Sequence, residues 1–255
     1  MRAALAVTVL ILVAACASGD EPLRAGDLDE RFEVAGVNVT ILGGAIATAD
    51  GVDVDLSELV ESSIAAVADA IDVPPVRVIV RVEPSQAIPG IGVGGFADPR
   101  TGDVSVALDP AHDPFDDALR HRIPDVLAHE LHHSTRILRG PGYGRSLAEA
   151  FVTEGLAQRF VVEAFPDVPL APWADALTPD EERETWDRAQ DALDETYSWE
   201  LHEEWFFGTG DVPHWAGYTI GFNIVGFYLQ AENTTAAAAV TTAGDEILER
   251  SGYAP

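Results

Sequence analysis

The chain has 255 residues, with 43 Asp and Glu against 15 Arg, no Lys and a net charge of −28. So acidic a surface repels phosphate backbones and anionic headgroups, which excludes nucleic-acid binding and electrostatic attachment to a membrane. Cys16 is the only cysteine, which excludes disulfides within the chain, and the length is ample for one buried core after removal of a short leader.

In chain order, Met1-Arg2 and the apolar stretch to Ala15 have the charge and length of a signal peptide rather than a membrane span. The stretch closes on Val13-Ala14-Ala15-Cys16, which resembles a bacterial lipobox; Cys16 would become the acylated first residue of the mature protein. The expectation is a lipoprotein signal peptide over residues 1–15 and a flexible acidic tether over 16–31. A folded domain would follow over 32–255, held outside the cytoplasm on the bacterial cell membrane by its lipid. Phe32 to Leu42 reads as a strand closed by Gly43-Gly44, and Leu56 to Ile71 as an amphipathic helix. Val76 to Val82 alternates cleanly and is a strand; Asp103 to Asp109 is another. Between them, Gly90, Gly92 and Gly95 spell G-x-G-x-x-G, but a strand follows where the dinucleotide fingerprint needs a helix, so nucleotide binding is excluded.

Next comes Val126-Leu127-Ala128-His129-Glu130-Leu131-His132-His133, with Pro124 suited to a first helical position. Residues i and i+4 share a helix face, so His129 and His133 can turn both imidazoles to one ion. Glu130 falls about 100° round the axis, beside such an ion, where its carboxylate can take a proton from water. A zinc site that keeps a position open needs a third protein ligand. Arg139 to Gly144 is a helix stop and turn, and Ser146 caps a second helix from Leu147 to about Phe165. Glu154 lies on that apolar helix, where a carboxylate is costly without a cationic partner. Glu149 is the alternative third ligand on that helix, about 140° away, so only one of the two can face the histidines.

H-E-x-x-H followed about twenty residues later by E-G-L-A resembles the gluzincin metallopeptidases, thermolysin and the aminopeptidase N family among them. Within them the chain is most similar to a poorly characterised bacterial family of predicted zinc-dependent proteases. That family pairs H-E-[LY]-H-H with E-G-L-A, a G-Y-x-x-G helix and a final S-x-Y. Here these are His129 to His133, Glu154 to Ala157, Gly217 to Gly221 and Ser251-Gly252-Tyr253. The resemblance covers about residue 75 to the C-terminus and implies Zn²⁺ on His129, His133 and Glu154, with Glu130 as general base. The chain departs from thermolysin-like enzymes in carrying Gln158 where they place an Asp four residues after the glutamate ligand.

The glycine-rich stretch Pro89 to Phe96 is then either a hairpin loop or the approach to an edge strand lining a zincin cleft, where a peptide adds as a further strand. Pro166 to Glu195 holds a loop and an exposed helix from about Pro179, read as a solvated insertion rather than a lid. His214 and Tyr218, ahead of the apolar helix Ile220 to Leu229, are each placed to donate to an oxyanion, and Tyr218 falls in the G-Y-x-x-G segment. His132 reads as exposed or supporting, and His112, His121 and His202 as surface residues. The whole reads as α+β and zincin-like: a small N-terminal mixed sheet with helices, the H-E-x-x-H helix, then a mainly helical lobe. The function implied is a zinc-dependent peptidase on a peptide or protein substrate, with a mild preference for basic peptides from the surface charge. The alternative is a catalytically silent surface lipoprotein of the same fold that binds peptides or proteins.

Overall fold

The computed structural model describes residues 29–255; the leader, the lipobox and most of the tether lie outside them. Strand β1 (Glu30–Val34) already begins inside the span expected for the tether. It forms an antiparallel hairpin with β2 (Val37–Ile41), so what reads as one strand is two. The turn is Ala35-Gly36, both at positive φ (51° and 83°), the geometry a two-residue hairpin demands. Gly43-Gly44 do not close a strand but open helix α1 (Gly43–Asp50). Helix α2 (Leu56–Ala70) follows, capped by the Asp55 side chain, which accepts from Glu58 N–H at 2.9 Å.

Strands β3 (Arg77–Val82), β4 (Val93–Ala97) and β5 (Val104–Leu108) complete a mixed sheet of order β1-β2-β3-β5-β4. The interior pairs are parallel and β4 runs antiparallel at the edge. Alternation puts Val39, Ile41, Val78, Val80 and Val106 on the buried face, in one core with Leu119, Ile123 and Leu127 of the next helix.

That helix, α3 (Phe115–Arg139), is much longer than the sequence suggests. Pro124 sits inside it rather than at its start, so one intrahelical hydrogen bond is missing there while the acidic first turn and basic last turn favour the helix dipole. It ends at Gly140, and α4 (Leu147–Ala164) starts from the Ser146 cap. The rest is helical: α5 (Pro179–Ala189), α6 (Trp199–Phe207), α7 (Ala216–Glu232), α8 (Ala236–Ala239) and α9 (Gly244–Ser251). The architecture is the α+β arrangement read from the sequence.

Two packing devices fix α3, α4 and α7 against one another. Gly155 of α4 faces Gly221 of α7 with no room for a methyl group between the backbones, so the helices cross in close contact. Buried Arg136 of α3 donates to Thr153 Oγ1 (3.0 Å) on α4 and to the carbonyls of Val240 (2.9 Å) and Thr242 (2.8 Å) near the C-terminus. The chain end thereby clamps the helix that carries the histidines.

Candidate metal centre

The αα-hairpin of α3 and α4 brings His129, His133 and Glu154 together. Their ligand-capable atoms all lie within 4.8 Å of one another. His129 Nε2 and His133 Nε2 are 2.9 Å apart, with Glu154 Oε2 at 3.1 Å from the first and Oε1 at 3.4 Å from the second. Two ligands on one tetrahedral zinc stand about 3.3 Å apart, so spacing and donor set both suit that ion. Burial opposes a charge on Glu154, but the imidazoles of His133 and His129 outweigh it and hold the carboxyl well below its usual range. Glu149 is turned away: its Oε2 accepts from the Arg145 backbone N–H at 2.5 Å, at the start of α4.

Glu130 projects to the side, into a cleft of about 890 Å³ that His129 also lines. Burial pushes its carboxyl above the ordinary range, the two histidines opposing. Edge strand β4 passes directly over it. A Cβ on Gly95 would come within 2.6 Å of Glu130 Cγ and 2.5 Å of Val126 Cγ1, which is why glycine stands there. Of the two readings of the glycine-rich stretch, the structure takes the edge strand: among the described residues β4 is paired on one side only, and Gly94 to Phe96 line the cleft.

Tyr218 and His214 both reach the same cleft. Burial lifts the Tyr218 phenol well above its usual range, with Glu154 and Glu130 adding to it, so it keeps its proton and remains a donor. Its ring packs on Phe206 (4.9 Å between centroids) and on Trp173 (6.1 Å). His214 stacks on Trp215 at 4.2 Å. Gln158 donates through Nε2 to the Tyr218 carbonyl (3.3 Å), tying α4 to α7 instead of reaching toward the histidines.

A family described as "Predicted Zn-dependent protease (DUF2268)" matches residues 57–249. The chain belongs to this family. Two curated relatives come from Bacillus subtilis (strain 168). "Uncharacterized protein YjaZ" is 28% identical over 127 residues, 49% of each chain. "Uncharacterized protein YjfC" is 25% identical over 142 residues, 51% of this chain and 48% of the relative. The chain thus spans about half the length of the curated relatives it matches. The matched segment of the predicted Zn-dependent proteases contains all three potential ligands and Glu130.

Some expectations are corrected by packing. His132 is fully buried against Phe160 (5.3 Å), burial holding its ring well below the ordinary pKa and hence neutral. His202 is buried too, bonded through Nδ1 to the Tyr197 hydroxyl at 2.7 Å, not a surface residue. The segment after α4 is no mere solvated insertion, because Leu170 and Trp173 form a wall of the cleft. Tyr143 escaped notice altogether. Its hydroxyl donates to Glu154 Oε1 at 2.6 Å, from a loop in which Gly142 and Gly144 both take positive φ (90° and 126°). An aromatic residue between two such glycines, midway between the histidines and Glu154, is the signal that could have found it.

Proposed function

We propose that this chain is a zinc-dependent peptidase that hydrolyses peptide bonds by attack of water, with Glu130 as general base. The observation that carries the reading is the convergence of two imidazoles and Glu154 on one point, with a second buried carboxylate opening onto the same cleft. His129, His133 and Glu154 would hold the metal; bound zinc supplies a Lewis acid that acidifies water and polarises a carbonyl. The raised proton affinity of Glu130 suits a group that must first accept the water's proton and then release it to the leaving amine. Tyr218, neutral and at the cleft wall, donates to the oxyanion, and His214 is the second donor on that side. A substrate backbone laid along β4 would present its carbonyl beside Glu130.

The test is zinc content and turnover together on the full chain. About one zinc per chain is expected, with marked loss in Glu154→Ala. Glu130→Gln should keep the metal and lose on the order of 10²-fold or more in peptide hydrolysis. A chain that holds no zinc when zinc is supplied sinks the peptidase reading; zinc with no hydrolysis of any peptide leaves the silent binding module. Tyr218→Phe should lower kcat by about 10²-fold with KM little changed; an unchanged kcat removes the tyrosine from the oxyanion site. The same proposal places the enzyme outside the cytoplasm on a lipid at Cys16, and a Cys16→Ala chain that still takes up a fatty-acid label would overturn that part.

A further inference from the structure

Eight large apolar side chains stand exposed among the described residues, and five of them rim this one cleft. They are Phe96 (55% exposed), Val162 (41%), Leu170 (45%), Trp199 (58%) and Phe207 (41%). On a protein with a net charge of −28, such a concentration marks a contact surface rather than incidental exposure. The apolar character continues inward through Val126, Phe165, Trp173 and Trp215. At about 890 Å³ the cleft has room for several bulky side chains at once.

A second, independent observation says what else the occupant carries. Asp125 lies one turn before His129 on α3 and Gln158 one turn after Glu154 on α4. In an αα-hairpin this sets both at the same level, one turn beyond the potential ligands. Both are more than nine-tenths buried, both line the cleft, and Asp125 Oδ1 and Gln158 Oε1 each lack a hydrogen-bond partner among the described residues. Their other atoms are engaged: Asp125 Oδ2 accepts from Arg122 at 2.7 Å, and Gln158 Nε2 donates to Tyr218. Buried acceptors left without donors cost the fold free energy that a ligand bringing N–H groups recovers. Trp173 Nε1, on the same cleft, is a buried donor likewise without an acceptor.

We infer that the cleft takes an extended polypeptide segment with bulky apolar side chains flanking the bond beside Glu130. Its backbone amides would reach Asp125 Oδ1 and Gln158 Oε1, both enclosed here, once those side chains turn toward the cleft. This rests on the peptidase reading only in placing the reacting bond at Glu130. An acyl chain would satisfy the apolar rim but brings no N–H donors, so the orphaned acceptors favour peptide over lipid. Among the described residues, Asp125 and Glu130 are the only carboxylate residues lining the cleft, so its walls add an apolar preference to the mild one for basic peptides expected from net charge.

The experiment uses the full chain with Glu130→Gln, which binds without turnover, and fluorescently labelled octapeptides whose two central residues are varied. By anisotropy, Leu-Phe at the centre should bind about tenfold or more tighter than Ala-Ala or Asp-Asp. Trp199→Ala and Phe207→Ala, both at exposed positions, should each weaken the Leu-Phe peptide about tenfold and the Ala-Ala peptide much less, with circular dichroism and Tm confirming the fold. With the unaltered chain, equal kcat/KM for all three peptides overturns the inference and leaves the peptidase intact. Apolar-selective binding without cleavage by that chain sinks the peptidase and leaves the inference standing. Zwitterionic vesicles that bind the chain through Trp199 and Phe207, while no peptide does, would overturn it in favour of a membrane contact.

Discussion

Replacing Gly155 by alanine puts a methyl group where α4 and α7 touch. The added Cβ would fall inside van der Waals contact with the Gly221 carbonyl oxygen and within 2.9 Å of Val225 Cγ2. The first obstacle is backbone, so no rotamer change relieves it, and the helices must part by a distance on the order of 1 Å. Overpacking of this kind costs about 3 kcal/mol, from which the helix propensity of alanine over glycine recovers about 1. The net loss of about 2 kcal/mol corresponds to a fall in Tm of about 4–8 °C for a domain of this size. Glu154 travels with α4 and Tyr218 with α7, so parting them misplaces Tyr218 relative to the metal centre while its three potential ligands stay on α3 and α4. A shift of about 1 Å can cost on the order of 10²-fold in rate. Differential scanning fluorimetry, zinc content and peptide turnover should therefore show lowered Tm, retained zinc and depressed kcat. A variant as stable and as active as the parent would refute the claim that this crossing sets the site.

Two further outcomes follow from the side chains around the centre. Tyr143→Phe removes the hydrogen bond to Glu154 Oε1 and should weaken zinc binding about tenfold in a chelator competition; equal affinity would show that Tyr143 does not position the carboxylate. Burial raises Asp125 from 3.8 to about 6 despite Arg122, so the folded state binds its proton more tightly than the unfolded chain. Stability of the metal-free protein then falls as pH rises from about 4 to about 6, by on the order of 3 kcal/mol once the carboxyl is fully charged. Asp125→Asn should raise Tm at pH 7.5 and leave it unchanged near pH 3.5, and a variant destabilised at pH 7.5 would reverse the sign of the argument.

What the sequence disclosed was local, and what it hid was made by contacts between distant segments. The helix period alone puts His129 and His133 on one face, and the cost of a lone carboxylate on an apolar helix singles out Glu154; the structure brings all three together. The β1–β2 hairpin was invisible because Ala35 occupies a left-handed position (φ 51°) that Gly or Asn ordinarily marks. Pro124 misled because a helix whose other turns are well buried tolerates the missing hydrogen bond. Tyr143, His202 and Trp173 carry no periodic signal. Tyr143 meets Glu154 because the segment before α6 ties back to the start of α4, the Tyr197 N–H donating to the Arg145 carbonyl at 2.8 Å, and Tyr197 backs its ring at 5.1 Å. Trp173 acquires a role only where it meets Trp215, 5.9 Å away, and Tyr218.

The Arg136 clamp bears on when the centre can form during synthesis. Its guanidinium sits on the same helix as the histidines, yet two of its three acceptors are carbonyls more than a hundred residues downstream. Until Val240 and Thr242 have left the ribosome, closing α3 onto α4 would bury a cation short of partners, at a cost of several kcal/mol. A nascent chain is therefore held from completing its candidate metal centre until Val240 and Thr242 can reach Arg136, and a ribosome-stalled chain ending before Val240 should bind zinc far more weakly than the released protein.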